Sequence, residues 1–222
     1  MTPDVAFAVA IDGPAASGKG TLAARLGKAF GLPVLDTGLL YRALAAAVIA
    51  QGGDLDDEQA CAAAARALDL GALSDPDLRS AAMGEAASRV AVHGAARLAL
   101  VEAQRAFAAR EPGAVLDGRD IGTVILKDAQ AKLFVTASVE ARARRRWRET
   151  QARGESLTYD EVLTDLRRRD ARDESRDAAP LRPAPDAVLL DTTDLSIDAA
   201  FDAARRIVEA ARARSGSTRK GA

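Results

Sequence analysis

The residues best suited to chemistry form a short glycine-bounded segment near the start of the chain. It runs Gly13, Pro14, Ala15, Ala16, Ser17, Gly18, Lys19, Gly20 and Thr21. Backbone N–H groups in such a loop, together with the N-terminus of a following helix, suit the binding of phosphate oxygens. Lys19 adds a mobile positive charge for the outer phosphates of a nucleotide. The segment therefore predicts a phosphate loop that binds a nucleoside triphosphate, and all nine residues are candidates for binding that nucleotide.

The flanks of the loop support this interpretation. The apolar segment from Val5 to Ile11 has the length of a strand. The apolar residues after the loop have the spacing of one helix face, namely Leu22, Ala23, Leu26 and Phe30. Strand, glycine-rich loop and helix are the context that a phosphate loop requires. Gly20 stands where the common motif has Ser or Thr, so the motif alone does not assign the hydroxyl of Thr21 to magnesium.

A second group of charges lies at the C-terminal end of a predicted helix over 158–173. Val162 and Leu166 mark the buried face of this helix. At 100° per residue, Arg169, Asp173 and Arg176 fall within about 40° of Val162. Charges that face inward need partners, which are either each other or a charged ligand. A helix stabilised by its own salt bridges remains the alternative interpretation.

Two further charged stretches are candidates for the site. The sequence Asp117-Gly118-Arg119-Asp120 directly follows a predicted strand, where an acid suits magnesium-bound water or a polar acceptor group and Arg119 suits an anion. A plain Asp-Gly turn explains the same spacing. Five arginines crowd the predicted helix 139–152, at positions 142, 144, 145, 146 and 148. They form either a solvated face or a segment that closes over the triphosphate and excludes water.

The elements that must position these residues alternate along the chain. We predict strands at 5–11, 33–35, 114–116, 132–136 and 187–190, and helices at 39–50, 58–68, 78–92, 95–110, 139–152, 158–173 and 197–212. This order predicts an α/β fold with three layers, in which helices cover both faces of a five-stranded parallel sheet, as in P-loop NTPases. Ligands then gather at the carboxyl ends of the strands.

We expect a single domain over 1–222. Its long helical segment at about 39–110 is a candidate acceptor-binding lobe, and the arginine-rich segment at about 145–165 is a candidate lid. Residues 71–77 read as a loop. Residues 215–222 are polar without an apolar anchor, which predicts a disordered tail.

Composition limits the classes of partner. The chain of 222 residues has 31 Lys and Arg against 32 Asp and Glu, so net charge predicts no bulk attraction to nucleic acid or membranes. Cys61, the single cysteine, excludes an internal disulfide and fits a reducing compartment. With no signal-peptide pattern and no apolar run of membrane-spanning length, we expect a cytoplasmic protein. A monomer is expected, and we interpret Cys61 and His93 as structural residues.

With these residues identified, the chain resembles the bacterial cytidylate kinase family of nucleoside monophosphate kinases over nearly its whole length. The similar motifs are the loop Gly13–Thr21, including Gly-Thr after the lysine, then Leu35-Asp36-Thr37-Gly38 with Tyr41-Arg42, Ala87-Ser88, Arg97, Gln104–Phe107, Asp117–Thr123, Arg169–Asp173, Arg176 and Ala179-Pro180-Leu181. The stretch Asp-Gly-Arg-Asp-Ile-Gly-Thr is the most specific of them.

The resemblance implies transfer of phosphate from ATP, with Mg²⁺, to CMP or dCMP in pyrimidine nucleotide metabolism. It implies that Lys19, Arg119, Arg169 and Arg176 are catalytic. Of the acceptor-binding residues, it implies that Ser88, Arg97 and Asp120 read cytosine, that Asp173 with Arg169 contacts the sugar, and that Arg42, Arg119 and Arg176 hold the acceptor phosphate. Asp36, Thr37 and Tyr41 are implied as the acceptor-side turn. Magnesium is expected on the nucleotide phosphates and water, without a dedicated set of protein ligands.

Family members often carry a small β-rich insertion where this chain has only 71–77, which leaves its choice between CMP, dCMP and UMP open. Two other functions also stay open. One is a P-loop kinase for another small anion, which gives no account of Ser88, Arg97 and Asp120 together. The other is a nucleotide-binding regulatory module, which leaves the inward charges of the helix 158–173 unexplained.

Overall fold

The computed structural model describes residues 6–68, 73, 76–176 and 179–218. By its internal contacts the chain divides into two compact units. The first consists of Met1–Leu35 and Ala106–Ala222, and the second of Asp36–Arg105. That the helical segment forms an acceptor-binding lobe, and that 145–165 forms a lid, remain predictions.

The main architectural feature is a parallel sheet flanked by helices. Its strands are β1 (Phe7–Asp12), β2 (Val34–Asp36), β3 (Gly113–Gly118), β4 (Ala131–Thr136) and β5 (Val188–Asp191). The helices are α1 (Lys19–Phe30), α2 (Thr37–Ala50), α3 (Glu58–Ala67), α4 (Ala81–Val90), α5 (Gly94–Ala108), α6 (Val139–Ala152), α7 (Tyr159–Ser175) and α8 (Ile197–Thr218). The five strands have the order β2-β3-β1-β4-β5 and are all parallel, so the predicted α/β class is confirmed.

The centre of the sheet has the strand arrangement at which α/β proteins commonly bind ligands. β1 lies between β3 and β4, with Asp12 opposite Gly118 and Phe134. The chain leaves β1 toward one edge of the sheet and later crosses to the other, which makes the carboxyl end of β1 a topological switch point. The loops after β1 and β3 therefore lie side by side.

The core of the first unit fixes these strands. β3 is buried along its whole length and β1 along all but its first residue, which accounts for their nearly continuous apolar sequences. Val9, Ile11 and Val115 pack there with Leu26 of α1 and Val208 of α8. The predicted inward face of α1 is confirmed at Leu22, Ala23 and Leu26, and Phe30 packs against the same core.

The second unit has its own helical core. α2, α3, α4 and α5 contribute the buried residues Leu40, Leu44, Val48, Val90 and Leu100. The apolar face of α2 is wide because it packs against both α3 and α4. This arrangement holds the N-terminal turn of α2, with its candidate site residues, on a rigid support.

Several predicted boundaries differ from the observed ones. The predicted helix 78–92 begins instead at Ala81, because the Ser80 hydroxyl accepts the N–H of Met83 and caps α4, and a short 3₁₀ turn, Pro76–Arg79, precedes it. Asp117 and Gly118 end β3 instead of following it. A π-helical turn, Ile121–Ile125, comes next and was not predicted.

Helix α8 is longer than predicted, since it continues from the expected end at 212 to Thr218. Of the predicted tail, residues 219–222 lie outside the described part of the chain. Most of the predicted loop 71–77 also lies outside it.

Candidate active site

The phosphate loop joins β1 to α1 and holds Lys19 close to its own backbone. A Cβ on Gly13 would lie 1.9 Å from the carbonyl oxygen of Val135, so this position has room only for glycine. Gly18, just before α1, has a left-handed φ of 95°. The Lys19 ammonium donates to the carbonyl of Pro14 at 2.9 Å, and Lys19 is only 6% exposed. The predicted cation is therefore built into the loop and does not extend into solvent.

A cavity of about 350 Å³ lies beside the loop within the first unit. It is lined by Ala16, Ser17, Gly18, Thr21, Leu22, Arg145, Arg148, Glu149, Thr192, Leu195, Ser196, Ile197 and Ala200. Nη1 of Arg145 donates to Oγ1 of Thr192 at 3.0 Å, and Thr192 in turn donates to the Ser17 carbonyl at 3.1 Å. Apolar walls with a few fixed polar groups, open to a phosphate loop, suit a nucleoside.

Sequence reasoning had grouped Arg145 with its neighbours in one arginine run and had not identified Thr192 at all. Thr192 directly follows β5, and a polar residue at the carboxyl end of a parallel strand is the signal that identifies it. Arg145 has no such local signal.

A cluster of charged side chains lies where α7 meets the end of β3. Nε of Arg119 donates to Oδ2 of Asp173 at 2.6 Å, and Nη2 of Arg176 donates to Oδ1 at 2.7 Å. The side chains of Asp173 and Arg176 are 7% and 8% exposed, which confirms their predicted inward placement. Two guanidinium groups thus share one carboxylate.

The protonation state of Asp173 follows from these neighbours. Burial acts to raise its pKa, but Arg119, Arg176 and Arg169 together outweigh burial, and the pKa is lowered. The pKa of Arg119 is raised, because its attraction to Asp173 outweighs the opposing effect of burial. Asp173 and Arg119 are therefore both charged at neutral pH. Helical spacing predicted that Arg169, Asp173 and Arg176 lie on one face. The structure brings these three together and adds Arg119.

A second ion pair on α7 was not predicted as a pair. Nη1 and Nη2 of Arg142 donate to the two oxygens of Asp170 at 3.1 and 2.7 Å. Arg142 also donates to the carbonyls of Ala137, at 2.9 Å, and of Ala15 in the phosphate loop, at 3.2 Å. This arginine therefore connects α6 and α7 to the loop.

The end of β3 carries two buried carboxylates, those of Asp117 and Asp120, each 6% exposed. Oδ2 of Asp117 lies 3.9 Å from where a Cβ on Gly20 would stand, so this carboxylate is next to the first turn of α1. A third carboxylate, that of Asp12, accepts two N–H groups of the π-helical turn, from Ile121 and Gly122. Asp12 was not among the candidate site residues from the sequence.

In the second unit, the acceptor-side turn has clear local roles. The carboxylate of Asp36 accepts the N–H of Leu39 at 3.1 Å and caps α2, whose first residue, Thr37, is buried. Nη1 of Arg42 donates to the carbonyls of Leu78 and Ser80, at 2.6 and 3.0 Å. Tyr41, half-buried, packs against the core of this unit.

Two buried polar side chains lie on α4 and α5 of the same unit. Ser88 and Arg97 are both 6% exposed. Among the described residues, the Ser88 hydroxyl has no hydrogen-bond partner. A buried hydroxyl without a partner is costly in a folded protein unless a ligand supplies the partner. Ser88 is therefore the residue of this unit that most directly indicates a bound ligand.

The remaining candidates agree with structural roles. Nε2 of His93 lies 2.8 Å from the carbonyl oxygen of Leu55, and Cys61 is a buried free thiol. Within the described ranges, no group of three or more His, Cys, Asp or Glu side chains is placed to hold a metal ion. No helix in these ranges is long and apolar enough to span a membrane.

Comparisons with known proteins show the family to which the chain belongs. A family model described as "Cytidylate kinase" matches residues 9–211. A curated cytidylate kinase from Caulobacter sp. (strain K31) is 59% identical over 96% of this chain and 99% of its own length. Another, from Xanthobacter autotrophicus, is 62% identical over 92% and 98%. A solved structure of an uncharacterized protein from Eubacterium ventriosum shares the fold, with a TM-score of 0.52 and 14% identity over 91% of this chain and 98% of that one.

Proposed function

We propose that this chain, which belongs to the cytidylate kinase family, transfers the γ-phosphoryl group of ATP to CMP or dCMP and forms ADP with CDP or dCDP. The observation that carries the proposal is the Arg119–Asp173–Arg176 cluster, which lies in the same unit as the phosphate loop. Guanidinium groups that one buried carboxylate holds in place suit the phosphate of an acceptor nucleotide.

The donor side is the phosphate loop with its neighbouring cavity. Loop N–H groups and the N-terminus of α1 face the triphosphate, and Lys19 exchanges the Pro14 carbonyl for phosphate oxygens. The adenosine occupies the cavity beside the loop, where Arg145 and Thr192 provide fixed polar groups.

The acceptor side is selected by charge and by hydrogen bonding. Arg119, Arg176 and Arg42 hold the monophosphate. Asp173 with Arg169 contacts the sugar. This division of roles also explains why Asp173 must stay ionised: the same carboxylate orients two of the arginines and accepts a hydroxyl.

The base is read by groups that match the edge of cytosine. Cytosine presents an amino donor beside ring acceptors. Asp120 accepts from the amino group, and Ser88 and Arg97 donate to the ring acceptors. The Ser88 hydroxyl thereby gains the partner that the described residues do not provide. A base that lacks the amino donor leaves a buried carboxylate without a partner, and this costs affinity.

The chemistry needs no strong general base. The acceptor phosphate is already an anion, so catalysis consists mainly of holding two polyanions in line and offsetting their repulsion. Lys19, Arg119, Arg169 and Arg176 supply the positive charge. This requirement accounts for a site rich in arginine with no catalytic histidine.

Magnesium fits this site as an ion carried by the nucleotide. Its preferred ligands are oxygens, and in phosphoryl-transfer sites it keeps several waters and takes few protein ligands. Asp117, next to the first turn of α1, is the carboxylate suited to hold such a water. The ion neutralises charge on the transferred phosphoryl group when bound.

The surroundings of the enzyme are proposals as well. We propose a cytoplasmic monomer whose partners are small molecules, without nucleic acid or membrane. The free thiol of Cys61 supports a reducing compartment. Sedimentation equilibrium tests the monomer, and a second species at micromolar concentration contradicts it.

A coupled ADP-release assay with ATP, Mg²⁺ and CMP, dCMP, UMP, AMP or GMP tests the function. We expect strong release with CMP and dCMP only. The matched control is Lys19→Met, which keeps the fold but loses most transfer because the cation at the phosphates is removed. Activity spread over all five acceptors contradicts the cytosine assignment, and release that needs no acceptor contradicts the kinase.

A further inference from the structure

Asp12 is a buried carboxylate to which the proposed function assigns no contact with substrate. It is the last residue of β1, directly before the phosphate loop, and it is 3% exposed. Its Oδ1 accepts the N–H of Ile121 at 2.7 Å and its Oδ2 accepts the N–H of Gly122 at 2.8 Å. Each carboxylate oxygen of Asp12 therefore accepts one N–H group, and the two N–H groups belong to consecutive residues far away in the sequence.

The segment that Asp12 holds is the π-helical turn Ile121–Ile125. Asp120 precedes this turn, and its side chain provides no cap. The Asp120 carbonyl accepts the N–H groups of Val124 and Ile125 at 2.9 and 3.2 Å. The first N–H groups of a helical turn have no partner within it and are usually satisfied by a nearby cap. Here Asp12 fills that role from another strand.

Burial and hydrogen bonding act on the Asp12 carboxylate in opposite directions. Burial raises the pKa of Asp12 to about 6, although the N–H groups of Gly122 and Ile121 oppose the rise. Among charged neighbours, Asp120 raises this pKa and Lys19 lowers it. A carboxyl whose pKa is raised by folding favours the folded state most at low pH, and that contribution is lost as pH rises through about 6. At neutral pH the folded state therefore lacks this contribution.

We propose that Asp12 is a positioning residue for phosphoryl transfer, because its two hydrogen bonds fix the segment of Arg119 and Asp120 relative to the phosphate loop. This inference rests on the proposed function. β1 continues directly into the loop that holds the donor, and the π-helical turn directly follows the two acceptor-binding residues. One carboxylate thus connects the donor side of the reaction to the acceptor side.

The first test is Asp12→Asn, which keeps the size of the side chain but turns an amide donor toward a backbone N–H. A small misplacement of reacting groups costs up to about 100-fold in rate, so we expect kcat/KM for CMP to fall by about that factor. The fall should divide between a higher KM for CMP and a lower kcat. KM for ATP should change by less than about threefold, since the phosphate loop itself is unchanged.

The control is Gln130→Ala. Oε1 of Gln130 accepts the N–H of Ala8 at 2.7 Å, near the opposite end of β1. This variant removes the same type of bond, from a side chain to the backbone of the same strand, away from the acceptor segment. It should lower the melting temperature and leave both KM values unchanged.

A second variant acts on the same contact from the other side. A Cβ on Gly122 would lie 3.3 Å from Oδ2 of Asp12 and 3.3 Å from Cδ of Lys132, which is tighter than an ordinary contact. Gly122→Ala should therefore displace the turn slightly and raise KM for CMP more than KM for ATP. If Asp12→Asn does not fold, Gly122→Ala decides the question.

The outcomes separate this inference from the function on which it rests. Wild-type protein without CMP-dependent ADP release overturns both. An active wild type with unchanged kinetics in the two variants overturns the role of Asp12 alone. Equal increases of both KM values, or a lower melting temperature with unchanged kinetics, assign Asp12 a structural role only and also overturn the inference.

Discussion

Asp170 and Asp173 lie three residues apart on α7, and each binds arginine, but their charge balance differs. Asp170 receives both ends of one guanidinium group, that of Arg142, whose remaining bonds go to backbone carbonyls. Asp173 receives two guanidinium groups, from Arg119 and Arg176, and Arg169 is close enough to lower its pKa further. The first pair is complete within the protein. The second gathers two guanidinium groups at one carboxylate, an arrangement that suits an anionic ligand.

The difference shows how to recognise a binding site among buried ion pairs. A buried pair with one partner each tends to contribute little net stability, although breaking it is costly. A buried cluster with excess charge of one sign is unfavourable unless a ligand balances it. The number of guanidinium groups per carboxylate therefore indicates function better here than burial does, since Arg142 is buried as deeply as Arg176.

Replacement of Arg119 should have the largest effect. Arg119→Met removes one of the charges that stabilise the transferred phosphoryl group, and arginines in that role contribute about 1,000-fold or more to the rate. We expect kcat/KM for CMP to fall by about that factor, measured by ADP release. Asp173 keeps Arg176, so the melting temperature should change little. Wild-type turnover in this variant would show that the cluster is structural.

Arg142→Met should give the opposite pattern. Loss of one member of a buried ion pair costs about 3 kcal/mol of unfolding free energy, because Asp170 is left without its bidentate partner. Urea denaturation measures this loss. Turnover per folded molecule, measured below the transition, should stay within about tenfold of wild type, a difference of about 1.4 kcal/mol. A thousandfold loss of turnover with unchanged stability would reverse the comparison.

The effect of inorganic phosphate on melting temperature should differ between variants of Asp173 and Asp170. In Asp173→Asn, the arginines around this position lose their shared carboxylate, and bound phosphate replaces the missing negative charge. In Asp170→Asn only Arg142 is affected. We expect phosphate to raise the melting temperature of Asp173→Asn by about 2–4 °C more than that of Asp170→Asn. If phosphate raises the melting temperatures of the two variants equally, the arginines around Asp173 do not bind anions more strongly than Arg142 does.

The smallest expected effect is a dependence of stability on pH. Because the pKa of Asp173 is lowered in the folded state, its contribution is present above the unfolded value of 3.8 and is lost as pH falls through the folded pKa. The stability difference between wild type and Asp173→Asn should therefore be constant near neutral pH and shrink in acid. Chemical denaturation at several pH values measures it. A difference that grows toward low pH contradicts the lowered pKa.

Local pattern was sufficient for much of the fold. Apolar runs and 3.6-residue periodicity predicted the strands and most helices, and α6 was predicted with its observed bounds. The inward placement of Asp173 followed from its angle to Val162, because a regular helix transmits such an angle over three turns. The end of β3 was harder, since Asp117 and Gly118 resemble a turn in sequence yet are paired in the sheet.

The contacts that were missed join residues far apart in the chain. Asp12 binds N–H groups 109 and 110 positions away, and Arg142 binds the carbonyl of Ala15 at a separation of 127. The groups that these two side chains bind are backbone N–H and carbonyl groups. The residue types at those positions therefore give no indication of the contacts. The π-helical turn likewise receives two of its hydrogen bonds from Asp12, in a distant strand. Such contacts become visible only when the sheet order has placed the segments together.

The bond between Lys19 and Pro14 has a consequence for the thermodynamics of nucleotide binding. A free lysine side chain has about 2 kcal/mol of rotamer entropy, and part of it is already lost on folding because the ammonium is fixed at 2.9 Å from its own loop. Binding of a triphosphate then exchanges one oxygen partner for another without ordering a long flexible chain. The entropy lost by the Lys19 side chain therefore reduces the free energy of unfolding. It reduces the free energy of nucleotide binding only slightly.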